Sequence, residues 1–298
     1  VFAAALAKRH SGFGALGGGG IYAIVVNPVT GASTSVSTFV DIDSFAGVDD
    51  GALDDTARGL PAISATPNND PAAWDAVGKQ AIGDMDIGAA DDTLWLINLT
   101  DRTLYSLDIG IPAVAPATYS TATAITLPAG ATACAASDVR PWAVEVYQGN
   151  VYVGVVCSAE SAQNVNNLRA YIIRTSESAP GAWTLVYEFA LNYPRGVVSA
   201  DAPGYPAEWR PWSPVFTTIC EAPCGPGLSY GNQLIYPQPI LSDIEFDTDG
   251  DMLIGLMDRL GHQTGEVNYS TSAATTSFNF YDFTTGYTIT PVTITAGS

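Results

Sequence analysis

The chain has 298 residues, 47% of them hydrophobic and only 14% charged, with 30 acidic residues against 11 basic ones and a net charge of −19. Such a chain has no basic field to neutralise phosphates, so nucleic acid and anionic membrane surfaces are excluded as partners. No window approaches the roughly 18 apolar residues of a membrane span, so no membrane insertion is expected.

The length suits one large all-β domain or two smaller ones, and the hydrophobic share is ample for a core. Lysine occurs only at Lys8 and Lys79, while Thr, Ser, Ala, Gly, Asn and Tyr are plentiful. That composition, with an even set of four cysteines, fits a secreted or cell-surface protein in an oxidising compartment. The chain starts at Val1 as if already inside a strand, which reads as a processed N-terminus or a cut from a longer protein.

Along the chain, a basic cluster Lys8-Arg9-His10 comes first, followed by the run Gly17–Gly20. The run precedes a strand pattern rather than a helix, which argues against a phosphate cradle. Alternating apolar residues predict strands at 21–26, 34–42, 93–99, 103–109, 142–147, 151–156, 170–174, 184–191, 243–247, 252–257 and 278–283. A further strand is expected at 286–294. The turns between them carry the Gly, Asp, Asn and Pro residues of tight hairpins, as in Gln148-Gly149-Asn150. The best helical pattern, 71–79, offers one or two turns. The segments 43–80, 110–138, 158–168 and 199–239 read as long loops gathered on one rim.

Three stretches look like copies of one module: IGDMDIGAADDTLWLINLTDR (82–102), RPWAVEVYQGNVYVGVVC (140–157) and SDIEFDTDGDMLIGLMDR (242–259). Each has a polar lead-in, an alternating strand, a turn and a more apolar second strand. With Asp84, Pro141 and Asp243 taken as equivalent, the steps are 57 and 102 residues. A period of about 50 fits a four-stranded propeller blade. The double step predicts a degenerate blade centred near 190–215, with its inner strand at 194–198 or 212–217. The expected fold is an all-β propeller of five or six blades, six slightly favoured, formed by residues 1–298 as a single domain. Ring closure between its ends would remove edge strands.

Five of the nine arginines sit at module ends: Arg102 after Asp101, Arg140 before Trp142, Arg195, Arg210 between two tryptophans, and Arg259 after Asp258. With Arg9 they are expected to form a collar around one end of the axial channel, paired with Asp84, Asp101, Asp243 and Asp258. The collar either ties blades together through planar bidentate contacts or binds an anionic ligand such as a sugar acid, sulfate or peptide carboxylate. Cys134 and Cys157 flank a predicted hairpin and would staple it; Cys220 and Cys224 would pair within a short loop. Asp247, Asp249 and Asp251 resemble the start of a calcium loop but lack its downstream Glu, so a hairpin turn is the better reading. No cofactor is expected, with calcium held in reserve. Of two sequons, Asn98 falls inside a strand, leaving Asn268 as the better glycosylation acceptor.

Catalytic signatures are sparse. His10 and His262, the two histidines, are linked by nothing in the sequence, and no nucleophile elbow, zinc-protease motif or P-loop occurs. His262 reads as a turn cap. Asp84 and Asp86 share one face of a strand and could do acid–base work on a glycan.

The stretches LAKRHSGFGALGGGGIYAI, DAVGKQAIGDMDI, LWLINLTDRTLYSLDI, RPWAVEVYQGNVYVGVVCSAE, NYPRG, EWRPW and YPQPILSDIEFDTDGDMLIGLMDRLGHQTG resemble the N-terminal propeller region of large bacterial surface proteins. Those proteins carry SdrD B-like, DUF11-like or other Ig-like repeats and a C-terminal sorting or anchoring segment. The resemblance covers most of 1–270 and implies export and a place in an extracellular assembly. It carries over no catalytic residues. The expected role is a non-enzymatic structural or adhesive module whose partners are other extracellular proteins, copies of itself or glycans. The alternatives are a glycan- or peptide-processing enzyme at the channel and a subunit of an extracellular filament or surface layer.

Overall fold

The computed structural model describes residues 1–61, 66–197, 206–216, 229–230, 233–234, 236–265, 268–272 and 277–278. Strands β1 (Phe2–Ala4), β2 (Gly20–Val26) and β3 (Ser33–Asp41) form an antiparallel sheet. Two one-turn helices follow, α1 (Asp55–Arg58) and α2 (Ala73–Ala76). The second sheet is a meander of β4 (Ile82–Ile87), β5 (Thr93–Asn98), β6 (Thr103–Asp108) and β7 (Thr121–Ala124). The third repeats that order with β8 (Val139–Tyr147), β9 (Asn150–Cys157), β10 (Arg169–Ser176) and β11 (Thr184–Ala190). Short pairs come next, β12 (Pro194–Val197) with β13 (Pro206–Glu208) and β14 (Ser229–Tyr230) with β15 (Gln233–Leu234). The third module forms β16 (Pro239–Phe246) and β17 (Met252–Asp258), ending in α3 (Arg259–Thr264). The last described pair is β18 (Asn268–Tyr269) with β19 (Ser277–Phe278).

The protein is therefore all-β with antiparallel sheets, as the alternation predicts. Beyond that pattern the structure adds β7 inside a stretch expected as loop, and α3 where a turn was expected. The expected strands at 279–283 and 286–294 lie outside the described residues.

The second strands β5 and β9 are largely apolar because both of their faces are buried. In β5, Leu94 and Leu96 face a core shared with Ile21 of the first sheet and with Ile42 and Phe45 of the turn that follows it. Trp95 and Ile97, one residue out of phase, join the core shared with Val151, Val153, Tyr171 and Ile173 of the third sheet. In β9 the same alternation places Val153 and Val155 in that core, and Tyr152 and Val156 against Ile244, Met252 and Ile254 of the β16–β17 sheet. The sheets thus stack face to face in chain order, with β5 and β9 each serving two cores.

One expectation needs correction. The double step between the second and third modules predicts an intervening blade, yet β16 packs directly against β8 and β9. Leu241 of β16 lies against Gly154 of β9, where a side chain larger than glycine's would clash. Of the two candidate inner strands, 212–216 is not a strand, while β12 pairs only with β13 among the described strands. A residue count cannot distinguish such an interval from a blade; among its described residues, Leu191, Trp209 and Trp212 are buried in the cores of the flanking sheets.

Candidate functional site: the inner strands and the arginine network

The first strands of the three modules, β4, β8 and β16, lie side by side, with β8 between the other two. Each carries one extra residue near its start relative to its hairpin partner, between Ile82 and Met85, Pro141 and Val144, and Leu241 and Asp243. Such a bulge re-aims the side chains that follow. The third sheet ends at β8, so the outward N–H groups of that strand have no ladder partner. Asp84 and Asp86 supply one: Val144 N–H donates to Asp84 Oδ2 (3.0 Å) and Val146 N–H to Asp86 Oδ2 (2.6 Å). The other oxygens accept from Met85 N–H and Ile87 N–H.

These two carboxylates share the inner face with Glu145, Asp243 and Glu245. Burial pushes Asp84 up to about 7 against the pull of its backbone donors. Burial, then the neighbouring Asp86, pushes Glu145 up to about 8. Glu245, itself exposed at the rim, is raised for the same reasons, burial first and then Asp243. Asp84 and Asp243, expected to pair with arginine, instead belong to this carboxylate row.

Arginine gathers elsewhere. Arg259, 0% exposed, begins α3 behind the Asp258 cap, whose Oδ1 accepts from Leu260 N–H. Its guanidinium donates to the Val77 carbonyl (2.7 Å), Gln238 Oε1 (2.9 Å), the Ser213 carbonyl (3.1 Å) and both the carbonyl and carboxylate of Asp75. It lies 4.5 Å from the centre of the Trp212 ring, and Arg140 approaches the same ring at 5.7 Å. Arg140 pairs with Glu160 (3.2 Å), and Lys79 bridges Glu160 and Asp75 at 2.6 Å each. Burial lowers Arg259 to about 10; Lys79 is lowered by burial and then by Arg259.

The network continues through Gln238 Nε2 to Gln263 Oε1 (2.7 Å) and from the Gln263 carbonyl to Arg9 (3.0 Å). Arg9, also 0% exposed, donates to the carbonyls of Asn69, Asp70 and Tyr269 and lies over Trp74. Beside it Arg58 grips both oxygens of Asp70 and one of Asp55. Burial alone would raise Asp70, but the Arg58 fork and the His10 N–H outweigh it and hold the carboxyl below its ordinary value.

The structure thus brings together Arg9, Arg140, Asp258 and Arg259 of the expected collar, with different acids. The partners are Asp75, Glu160 and backbone carbonyls, since the bulges turn Asp84 toward β8. Arg102 stands apart, in a left-handed conformation (φ 57°), donating to the Ala136 carbonyl (2.5 Å). Asp101 accepts instead from the Tyr105 hydroxyl (2.6 Å). Asp101 and Arg102 edge an open cleft of about 680 Å³ floored by Ile125, Leu127 and Val139. Arg210 lies over Tyr236. The Arg195 side chain, Cys220 and Cys224 lie outside the described residues.

Cys134 and Cys157 form the expected disulfide. Asp247 Oδ1 accepts from Asp249 and Asp251 N–H (2.9 Å each), closing the β16–β17 hairpin turn on itself. Among the described residues, no group of three or more His, Cys, Asp or Glu is arranged to hold a metal ion. Asn98 is buried and spans the Asp49 carbonyl and Thr100 N–H. Asn268 is half-buried in β18 and accepts from Asn68 N–H.

Sequence reasoning missed Asp70, Asp75, Glu145 and Glu160. The signal available was scarcity: Lys79 is one of only two lysines, and a lone cation in an apolar stretch needs acids nearby.

No protein-family model matches the chain. Over 262 residues, 88% of its length, it is 26% identical to Colossin-D of Dictyostelium discoideum. Over 126 residues, 42% of its length, it is 29% identical to Colossin-A of the same organism. The chain spans 24% of Colossin-D and 1% of Colossin-A, so what it resembles is a small portion of much longer proteins.

Proposed function

We propose that the chain is a secreted or cell-surface β-propeller acting as a non-enzymatic structural or adhesive module within a larger extracellular assembly. The observation that carries this reading is where the arginines go. Arg9 and Arg259 are fully buried and spend their donors on carbonyls of distant segments. A guanidinium used this way joins parts of the fold and has no donors left for an anionic ligand. Face-to-face stacking of hairpin modules with their first strands adjacent supports a propeller. Direct packing of β16 on β8 removes one blade from the sequence expectation and favours five over six. The disulfide supports an oxidising compartment, and the similarity to small portions of two very long proteins supports a place in a larger chain. The resemblance to propeller regions of bacterial surface proteins with SdrD B-like or DUF11-like repeats belongs to the same proposal. Calcium, glycans and other extracellular proteins remain its candidate partners. Size-exclusion chromatography with negative-stain imaging tests the role: ordered multimers are expected, and a strictly monomeric, dispersed protein overturns it.

A second reading has one observation behind it. Asp84 and Glu145, with their raised pKa values, lie in a carboxylate row, an arrangement suited to a protonated acid near neutral pH. Glycan hydrolysis that is lost in both Asp84→Asn and Glu145→Gln would establish it; no turnover by the wild type across a glycan panel would dismiss it.

A further inference from the structure

We propose that His10 and His262 form an acid-sensitive latch on the seam that joins the N-terminal segment to helix α3. They are the two histidines of the chain, and the fold puts both on one seam: Arg9 N–H donates to the His262 carbonyl (3.0 Å). The His10 ring packs against Gly265 at the end of α3, where an added Cβ would lie 3.1 Å from it. Each ring has a buried nitrogen without a hydrogen-bond partner, Nε2 of His10 and Nδ1 of His262. The other nitrogens meet Asn68 Oδ1 (2.8 Å) and the Met257 sulfur (3.3 Å).

Burial and the nearest cations, Arg9 and Lys8, favour the neutral rings, and outweigh Asp70 and the Asn68 and Thr264 oxygens beside His10. His10 is faced by Arg9 on its own segment, by Asn68 and Asp70, by Arg58 of α1 through Asp70, and by the Thr264 carbonyl of α3. His262 is faced by Lys8, with Asp258 and Arg259 at the start of its helix. Burial, then Arg9 for His10 and Lys8 for His262, brings both down to about 4 from an ordinary 6.5. Asp70 is held below its ordinary value, so acid reaches the histidines first.

The sign follows from linkage. A ring that takes a proton in the open seam at pH 6.5 but in the closed seam only near 4 favours opening throughout that interval. Each histidine shifts the open-to-closed ratio about tenfold per pH unit between those values. Closure is complete above 6.5 and weakens as pH falls.

Hydrogen exchange on the full chain, read by mass spectrometry between about pH 7.5 and 4.5 and corrected for intrinsic rates, tests the latch. Protection in segments 7–13 and 258–264 should fall by a hundredfold or more while β5, β9 and β10 stay protected. In the same range NMR of the two imidazoles should show both titrating well below 6.5. Flat seam exchange, imidazoles titrating near 6.5 with the seam closed, or uniform loss across the core sheets would each overturn the proposal. The His10→Gln/His262→Gln variant, if it folds, should keep its seam protection at pH 4.5; opening like the wild type refutes the latch. If that variant does not fold, the wild-type exchange and NMR decide.

Discussion

Arg259 has no water to donate to, so each of its N–H groups must find a protein acceptor or go unmet. Removing it leaves the carbonyls of Val77 and Ser213 buried without their donor and opens space beside Trp212. Arg259→Met is expected to cost about 3–5 kcal/mol in denaturant unfolding, since the loss is that of a buried polar hub and not of a surface ion pair. Asp84 poses the opposite problem. Its carboxyl is raised above its unfolded value to about 7, so the folded state holds the proton more tightly. The stabilisation it gives is present below about pH 4 and is lost as pH rises toward 7. Asp84→Asn should therefore be less destabilised, relative to wild type, at pH 8 than at pH 4.5, by about 3 kcal/mol; equal losses at both pH values would count against the burial argument. Neither residue's role could be read from the chain alone. Spacing put Asp84 at the entry of one module and Arg259 at the exit of another, but a single inserted residue in a strand decides which way a side chain points, and nothing in the composition of 82–86 announces the bulge. Alternation does betray the residues of the cores, and Cys134 with Cys157 was legible because a hairpin brings its two flanks together.

At the scale of elements, the second strands β5 and β9 were the most legible part, since a short, nearly continuous apolar run with turns at both ends leaves few options but a strand buried on both faces. Helix α3 was illegible for a physical reason: Arg259–Thr264 is too short to show helical periodicity, and its stability comes from the Asp258 cap and burial. The long stretch between β11 and β16 misled the spacing argument, because the flanking sheets pack on each other directly, most closely at Gly154. Gly154→Val should destabilise the protein by about 2–4 kcal/mol, because Leu241 and Ala143 have no room to move within stacked sheets; a neutral effect would mean the sheets can separate. The Cys134–Cys157 bridge spans 23 residues. Replacing both cysteines with serine should lower stability by about 3 kcal/mol through the freed denatured chain, seen as a lower midpoint in chemical unfolding.

The whole molecule carries a net charge of −19, so copies of it repel one another at low ionic strength. If the chain assembles, association should strengthen as salt rises from about 20 mM to 500 mM and screening shortens the reach of that repulsion; sedimentation velocity over that series would show it, and salt-independent association would point to contacts that avoid the acidic surface. The network that closes the molecule also has a consequence in time. Arg9 is held by the carbonyl of Gln263, 254 residues downstream. During synthesis the carbonyls of Asn69 and Asp70 follow Arg9 after about 60 residues, but those of Gln263 and Tyr269 come only about 200 residues later still. The segment around Arg9 is thus only partly anchored until the Gln263 region has been made. A loop of that length closes late because so much chain entropy must be given up at once, and until it does Arg9 is held from one side only.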